Sequence, residues 1–165
     1  VGVRNYLVEG VSCTGKTSVA TELERRGHHV VHGDRELAYQ GDPVTGEPLP
    51  GAQHEHHVWD VDRVRDIVAD RAAPATFFCG GSRNIGVFVD LFDEVFVLEV
   101  DRATLTARLD ERPPDEYGAL PEERELVLRL HRTQEDVPAG TPVDATRTVT
   151  EVVDEILRRA GLPPA

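Results

Sequence analysis

The stretch GVSCTGKTS, residues 10–18, constrains this chain more than any other segment. An apolar run, NYLVEG, leads into it and an amphipathic run, GKTSVATELERRG, leads out. A buried strand must therefore pass into a helix through a glycine-rich turn. Gly10, Gly15, Lys16 and Thr17 satisfy the pattern G-x-x-x-x-G-K-[ST]. In such a loop successive N–H groups curl inward, and the helix N-terminus adds its positive end, so phosphate is held readily. Lys16 is the only lysine in the chain, whereas arginine is abundant. A GC-rich coding bias would account for the arginines, and against it the one lysine is informative. Arginine is a planar fork and lysine a compact ammonium on a slim stem. Lys16 is expected to lie between the β- and γ-phosphates of a nucleotide, and the Thr17 hydroxyl to ligate Mg²⁺.

At 165 residues the sequence reads as a single domain, 1–165, with enough chain for a real core. A net charge of −12 argues against nucleic acid as the main partner, and it leaves room for a small anion in a local basic pocket. No apolar run approaches the ~20 residues of a membrane helix, so no membrane partner is expected. The start, VGVRNYLVEG, moves straight into the motif without a leader-like segment, and Cys13 and Cys79 do not make a disulfide framework. These features point to the cytoplasm. The oligomeric state is not legible.

Strand and helix patterns alternate along the chain. NYLVEG, HHVVHGD, ATFFCGG, EVFVLEV and TPVDAT read as strands. Helices are expected over GKTSVATELERRG, with Val19 and Leu23 four apart, and from about Asp60, with Val61, Val64 and Val68 on one face. Further helices fit RATLTARLDER up to Pro113 and Pro114, PEERELVLRLHRT with Leu126 and Leu130 in line, and VTEVVDEILRRAG. NIGVFVDLF reads as a short apolar helix, and the Pro/Gly-rich residues 41–57 as loop. The alternation implies an α/β fold with a parallel sheet and helices on both faces.

Taken in this order, the motifs resemble those of the P-loop small-molecule kinases, the nucleoside, nucleoside-monophosphate and shikimate kinase group, over nearly the whole length. The resemblance implies a three-layer α/β/α P-loop NTPase fold with a five-stranded sheet of order 2-3-1-4-5 and a small lid near 111–121. It implies ATP and Mg²⁺, and transfer of the γ-phosphoryl group to a small hydroxylated or phosphorylated metabolite: a nucleoside, a nucleotide, a shikimate-like molecule, a sugar or an antibiotic. Gly10, Ser12, Cys13, Thr14, Gly15, Lys16, Thr17 and Ser18 would hold the nucleotide phosphates. VVHGDREL is similar to the second strand of such kinases, which would put Asp34 where it orients or deprotonates the acceptor hydroxyl or holds a magnesium-bound water, and Arg35 on an acidic group or base of the acceptor. FFCGGSRN is similar to the third strand and its glycine turn, where Gly80 and Gly81 would let the acceptor approach the backbone; Arg83 could touch the acceptor or only a surface carboxylate. Arg108 and Arg112 resemble lid arginines that close on phosphates. VDATRTVTEVVDEIL is similar to the last strand and the adenine loop, near Ala145 and Thr146.

The chain also departs from these patterns. Asp34-Arg35-Glu36 stands where shikimate kinases carry D-x-D, and two glycines plus Ser82 replace a three-glycine turn. No acidic residue ends the third strand, and there is no N-K-x-D. The missing acid leaves open a nucleotide-binding regulator or slow NTPase that acts through a protein partner. Trp59 could stack on an acceptor ring or simply pack. The tract His54–His57 has no standard zinc spacing and reads as a solvated loop. Glu122, Glu123 and Glu125 suit a helix start.

Overall fold

The computed structural model describes residues 3–164. β1 (Arg4–Glu9) runs into α1 (Lys16–Arg25), then β2 (His29–His32), the one-turn α2 (Gly33–Glu36), and a short antiparallel pair, β3 (Ala38–Gln40) and β4 (His57–Trp59). α3 (Val61–Ala69), β5 (Ala75–Cys79), β6 (Glu94–Glu99), α4 (Arg102–Asp110), α5 (Pro121–Thr133), β7 (Thr141–Asp144) and α6 (Val149–Arg159) follow. The main sheet is parallel, in the order β2-β5-β1-β6-β7. Counted over the main-sheet strands alone, this is the expected 2-3-1-4-5.

The central strands are apolar on both faces because helices cover both. Tyr6, Val8, Phe77, Phe96 and Leu98 face α1, α4 and α6, against Leu23, Leu105, Val153 and Ile156. Leu7, Val31 and Phe78 face the other way, onto Trp59, Val64, Phe88 and Phe92. α6 begins with a capping box, in which Thr148 accepts from the Glu151 amide and the Glu151 carboxylate accepts from Thr148. Asp60 and Asp101 cap α3 and α4 through their side chains.

Three local expectations are corrected. NIGVFVDLF forms two single 3₁₀ turns, Ile85–Val87 and Val89–Leu91, not an α-helix. Gly86 and the β-branched Ile85, Val87 and Val89 favour a tight path that buries Phe88 and Phe92. In α5 the core positions are Val127 and Leu130, while Leu126 is half-buried. Residues 41–57 are more than loop. Gly41 bridges Pro48, His54–His56 make a 3₁₀ turn, and the tract returns as β4 to pair Gln40 with His57.

Asn84 fixes this excursion to the sheet. Its buried amide accepts from the Trp59 N–H at 3.0 Å and donates to the Trp59 carbonyl at 2.9 Å. The Arg83 N–H donates to the His57 carbonyl at 2.9 Å. The β3–β4 pair thus stands over the C-terminal edge of the main sheet, where open α/β sheets bind ligands.

Candidate functional site

One cavity of about 960 Å³ runs along that edge, in the size range of small-molecule sites. Its floor at one end is the loop between β1 and α1. Gly10 has φ 151° and Gly15 φ 104°, and Cys13, between them, is also left-handed at φ 69°. A Cβ on Gly10 would lie 2.7 Å from Thr14 Oγ1 and 2.8 Å from the Leu98 carbonyl, so only glycine fits. Thr14 is buried, and its hydroxyl donates to the Val11 carbonyl at 2.8 Å, which braces the curl. Lys16 Nζ folds over the loop and donates to the carbonyls of Gly10 and Val11. Ser12, Cys13, Thr17 and Ser18 line the same end.

Arg108 ties this loop to the one after β7. Its Nη1 donates to the carbonyls of Cys13 and Thr14, at 3.2 Å each, and Nη2 donates to the Ala145 carbonyl at 2.7 Å. Arg112 Nε lies 2.8 Å from Cys13 Sγ and its Nη1 2.5 Å from Glu116. The 111–121 segment therefore rests on the loop through Arg112. Its own fold is held by the Gly118 N–H, which donates to Glu123 at 2.8 Å.

At the other end two carboxylates press on the turn after β5. Glu9, the last residue of β1, is 2% exposed. Its Oε1 accepts from the Gly10 N–H at 2.9 Å, while Oε2 is buried without a partner. A Cβ on Gly81 would lie 2.7 Å from Glu9 Oε1, and one on Gly80 would lie 3.0 Å from Asp34 Oδ1. Burial pushes the Glu9 carboxyl up to about 7, against the pull of Lys16, the Gly10 amide and Arg83. Asp34 moves the opposite way. Burial raises it, but the His57 hydrogen bond and charge, Lys16 and the Gly81 N–H outweigh that and hold it below the ordinary carboxylate value. His57 Nε2 lies 3.0 Å from Asp34 Oδ1. Next to them Arg83 pairs with Asp136, which also receives His54 Nε2 at 2.7 Å.

Several expected site residues sit elsewhere. Trp59 is fully buried on β4, stacked on Phe88 at 5.8 Å, and fills the space beside Gly33 and Gly80, so it packs rather than lines the cavity. Arg35 is exposed on α2 and is not among the lining residues. Thr146 is turned away: its N–H and hydroxyl both bond the Asp144 carboxylate, and Ala145 and Arg147 line the cavity instead. Gly80 backs the site while Gly81 faces it. His54 and His57 line the cavity, which corrects the solvated-loop reading. No group of three or more His, Cys, Asp or Glu among the described residues is placed to hold a metal by itself. Cys13 and Cys79 are free thiols, and burial holds Cys79 well above the ordinary thiol value.

Sequence reasoning missed Glu9, His57, His54 and Asp136. For Glu9 a signal was present: a charged residue closes an otherwise neutral strand core directly before Gly10. The acid missing from the end of β5 is matched by one at the end of the neighbouring strand, with Val8 and Cys79 in register.

No protein-family model matches the sequence, and no curated protein matches it. Solved structures do resemble it in fold. A sugar kinase from Janibacter sp. HTCC2649 is 17% identical, with a TM-score of 0.61, over 98% of this chain and 96% of that one. A shikimate kinase from Bacteroides thetaiotaomicron is 11% identical, with a TM-score of 0.58, over 96% and 99%. A deoxyadenosine kinase from M. mycoides, solved with bound dATP, is 13% identical, with a TM-score of 0.53, over 96% and 99%. The chain has the fold of P-loop small-molecule kinases.

Proposed function

We propose that this protein transfers the γ-phosphoryl group of ATP to a hydroxyl of a small acceptor. One observation carries the reading. A phosphate loop with its lysine and a pair of carboxylates braced on a glycine turn face one cavity, and the pair titrates in opposite directions. Titratable groups driven apart in this way divide acid–base roles between them. The sugar, shikimate and deoxyadenosine kinases that share the fold give the acceptor its scale.

ATP would lie on residues 10–18, with Lys16 at the β- and γ-phosphates and the base near Ala145. Magnesium suits the oxygens present. Thr17 and Asp34 line the same cavity, and a nucleotide-bound Mg²⁺ takes its other ligands from phosphate and water. The ion would neutralise charge on the phosphates. The acceptor would enter between β3–β4 and the Gly81 turn. Its oxygen attacks the γ-phosphorus, the new O–P bond forms, and the bond to the β-bridging oxygen breaks. ADP keeps that electron pair, and the hydroxyl proton passes to Glu9. A carboxyl near 7 is matched to that task at neutral pH. Asp34, held ionised, orients the hydroxyl or a magnesium-bound water. Arg112 adds charge at the transferring group and Arg108 holds the donor loops.

The test is ADP release with Mg²⁺·ATP across nucleosides, monophosphates, shikimate, sugars and aminoglycosides, with the phosphorylated product identified by mass. Acceptor-stimulated release and a matching product support the reading. Slow release that no acceptor changes would favour a regulator that hydrolyses ATP for a protein partner.

A further inference from the structure

Every arginine at the acceptor end of the cavity is already spent. Five side chains with permanent positive charge line the cavity: Lys16, Arg83, Arg108, Arg112 and Arg147. Lys16, Arg108 and Arg112 are engaged with the phosphate loop, and Arg147 follows Ala145 in the loop after β7. That leaves Arg83 beside the Gly81 turn. Its guanidinium pairs with the Asp136 carboxylate and also lies 3.4 Å from the Asp136 carbonyl. Only 13% of its side chain is exposed, and its Nε is buried out of reach of solvent. Asp136 is pinned from its other side by His54.

What faces an incoming acceptor is therefore carboxylate. Glu9 Oε2 is buried and unpartnered at the cavity wall, and the Asp34 side chain is 56% exposed there. A carboxylate or phosphate on the acceptor would meet the exposed Asp34 carboxylate, whose Oδ1 alone is held by His57, and Glu9 wherever it has lost its proton, with no unpaired lysine or arginine among the described residues at that end to receive it; like charges brought together at an interface are strongly disfavoured.

We propose that the acceptor carries no anionic group: it is a hydroxylated molecule that is neutral or bears an amine. This rests on the phosphotransfer reading and narrows its acceptor class. Hydroxyl and ammonium donors would satisfy Glu9 and Asp34, and the Arg83–Asp136 pair would serve as a neutral wall.

The experiment uses pairs matched except for charge: an alditol and its aldonic acid, a nucleoside and its 5′-monophosphate, an aldohexose and its 2-amino derivative. Each is assayed for phosphorylation and, separately, for binding by calorimetry to the protein holding Mg²⁺ and a non-hydrolysable ATP analogue. The neutral or amine member is expected to exceed its anionic partner by about tenfold or more in kcat/KM and in affinity. In Asp136→Asn, which releases Arg83, that ratio is expected to shrink about tenfold. The comparison is made within one variant, so a general loss of activity does not mimic it. Preference for the anionic member in the wild-type protein overturns the proposal, and so does an unchanged ratio in Asp136→Asn or a panel of which nothing binds. If neutral and amine members bind, anionic ones do not, and none is phosphorylated, the charge assignment stands and phosphotransfer fails.

Discussion

At the donor end of the cavity cations meet backbone oxygens; at the acceptor end carboxylates meet each other across two glycines. Lys16 and Arg108 donate to the carbonyls of the very loop that would hold phosphate. Glu9 and Asp34 instead crowd Gly81 and Gly80, within a few ångströms of where any side chain would begin. The difference teaches how one cavity can host both halves of a transfer. On the phosphotransfer reading, positive charge gathers where a polyanion would bind, and carboxyl groups gather where a proton would leave. The two ends are also built at different sequence range. Nine consecutive residues, 10–18, make most of the donor floor, whereas the acceptor wall draws on positions 9, 34, 57, 81, 83 and 136.

The hardest blow to the donor end is Lys16→Ala. With its point charge gone, turnover is expected to fall about a thousandfold or more, with ATP affinity weakened and the fold intact. Lys16→Arg is not expected to rescue it, since the broad fork does not fit a loop that lysine closes by reaching Gly10 and Val11. Full turnover in the arginine variant would defeat the shape reading.

At the acceptor end Glu9→Gln should lower kcat by roughly a hundredfold or more while ATP affinity stays near normal. The wild-type rate should fall as pH drops below about 7, where Glu9 takes up its proton, and the variant should lose that limb. Stability should move the other way. The folded carboxyl keeps its proton up to about 7, whereas in the unfolded chain it ionises near 4.5. Between those values the folded state binds more protons, so stability falls as pH rises through the window and levels off above it. The plateau cost is about 3 kcal/mol at the usual conversion of a pKa difference. Glu9→Gln should recover most of it above pH 7, seen as a raised unfolding midpoint in denaturant. A variant that loses rate and also stability there would make Glu9 a structural group.

Asp34→Asn sharpens the contrast between the two carboxylates. Its rate should drop about a hundredfold without removing the limb near 7, because Asp34 is already ionised there. Equal losses in rate and in Mg²⁺·ATP affinity would assign Asp34 to the metal rather than to the acceptor hydroxyl.

The same contrast explains what could be read from the sequence. The strand–loop–helix unit was legible because local pattern carries it: strict glycine positions, one lysine, and apolar runs buried on both faces; the sheet order came from the resemblance to P-loop kinases and not from local pattern. The acceptor wall was not, since it depends on where β3–β4 lands. For Trp59 the sequence left stacking on an acceptor ring and packing both open, and packing holds because Gly33 and Gly80 have no side chains and its indole fills the gap. The histidines looked solvated because nothing local says that Asn84 will clamp β4 to the turn after β5. Asp136, distant in sequence, could not be matched to Arg83 before the fold brought them together. Glu9 was overlooked beside a stronger motif, although an acid at the end of a buried strand core always asks for a reason.

The smallest effects are expected where the two ends share a part, in the segment 111–121. Arg112 touches Cys13 Sγ on the donor loop, and part of its charge is offset by Glu116. Its contribution must then lie in the transition state, where charge on the transferring group is greatest. Arg112→Ala should lower kcat about tenfold and leave the ATP dissociation constant almost unchanged. Arg108 is expected to differ. It is a strut between the carbonyls of Cys13, Thr14 and Ala145, so Arg108→Ala should weaken ATP binding more than it slows the chemical step. Hydrogen exchange beside the kinetics decides whether the segment is a lid. Residues 111–121 pack few buried side chains and carry exposed Tyr117 and Leu120. They should exchange quickly alone and more slowly with ATP and acceptor. If exchange there ignores both ligands and Arg112→Ala turns over normally, the segment is a surface linker, and the boundary between the two ends lies at the Gly81 turn alone.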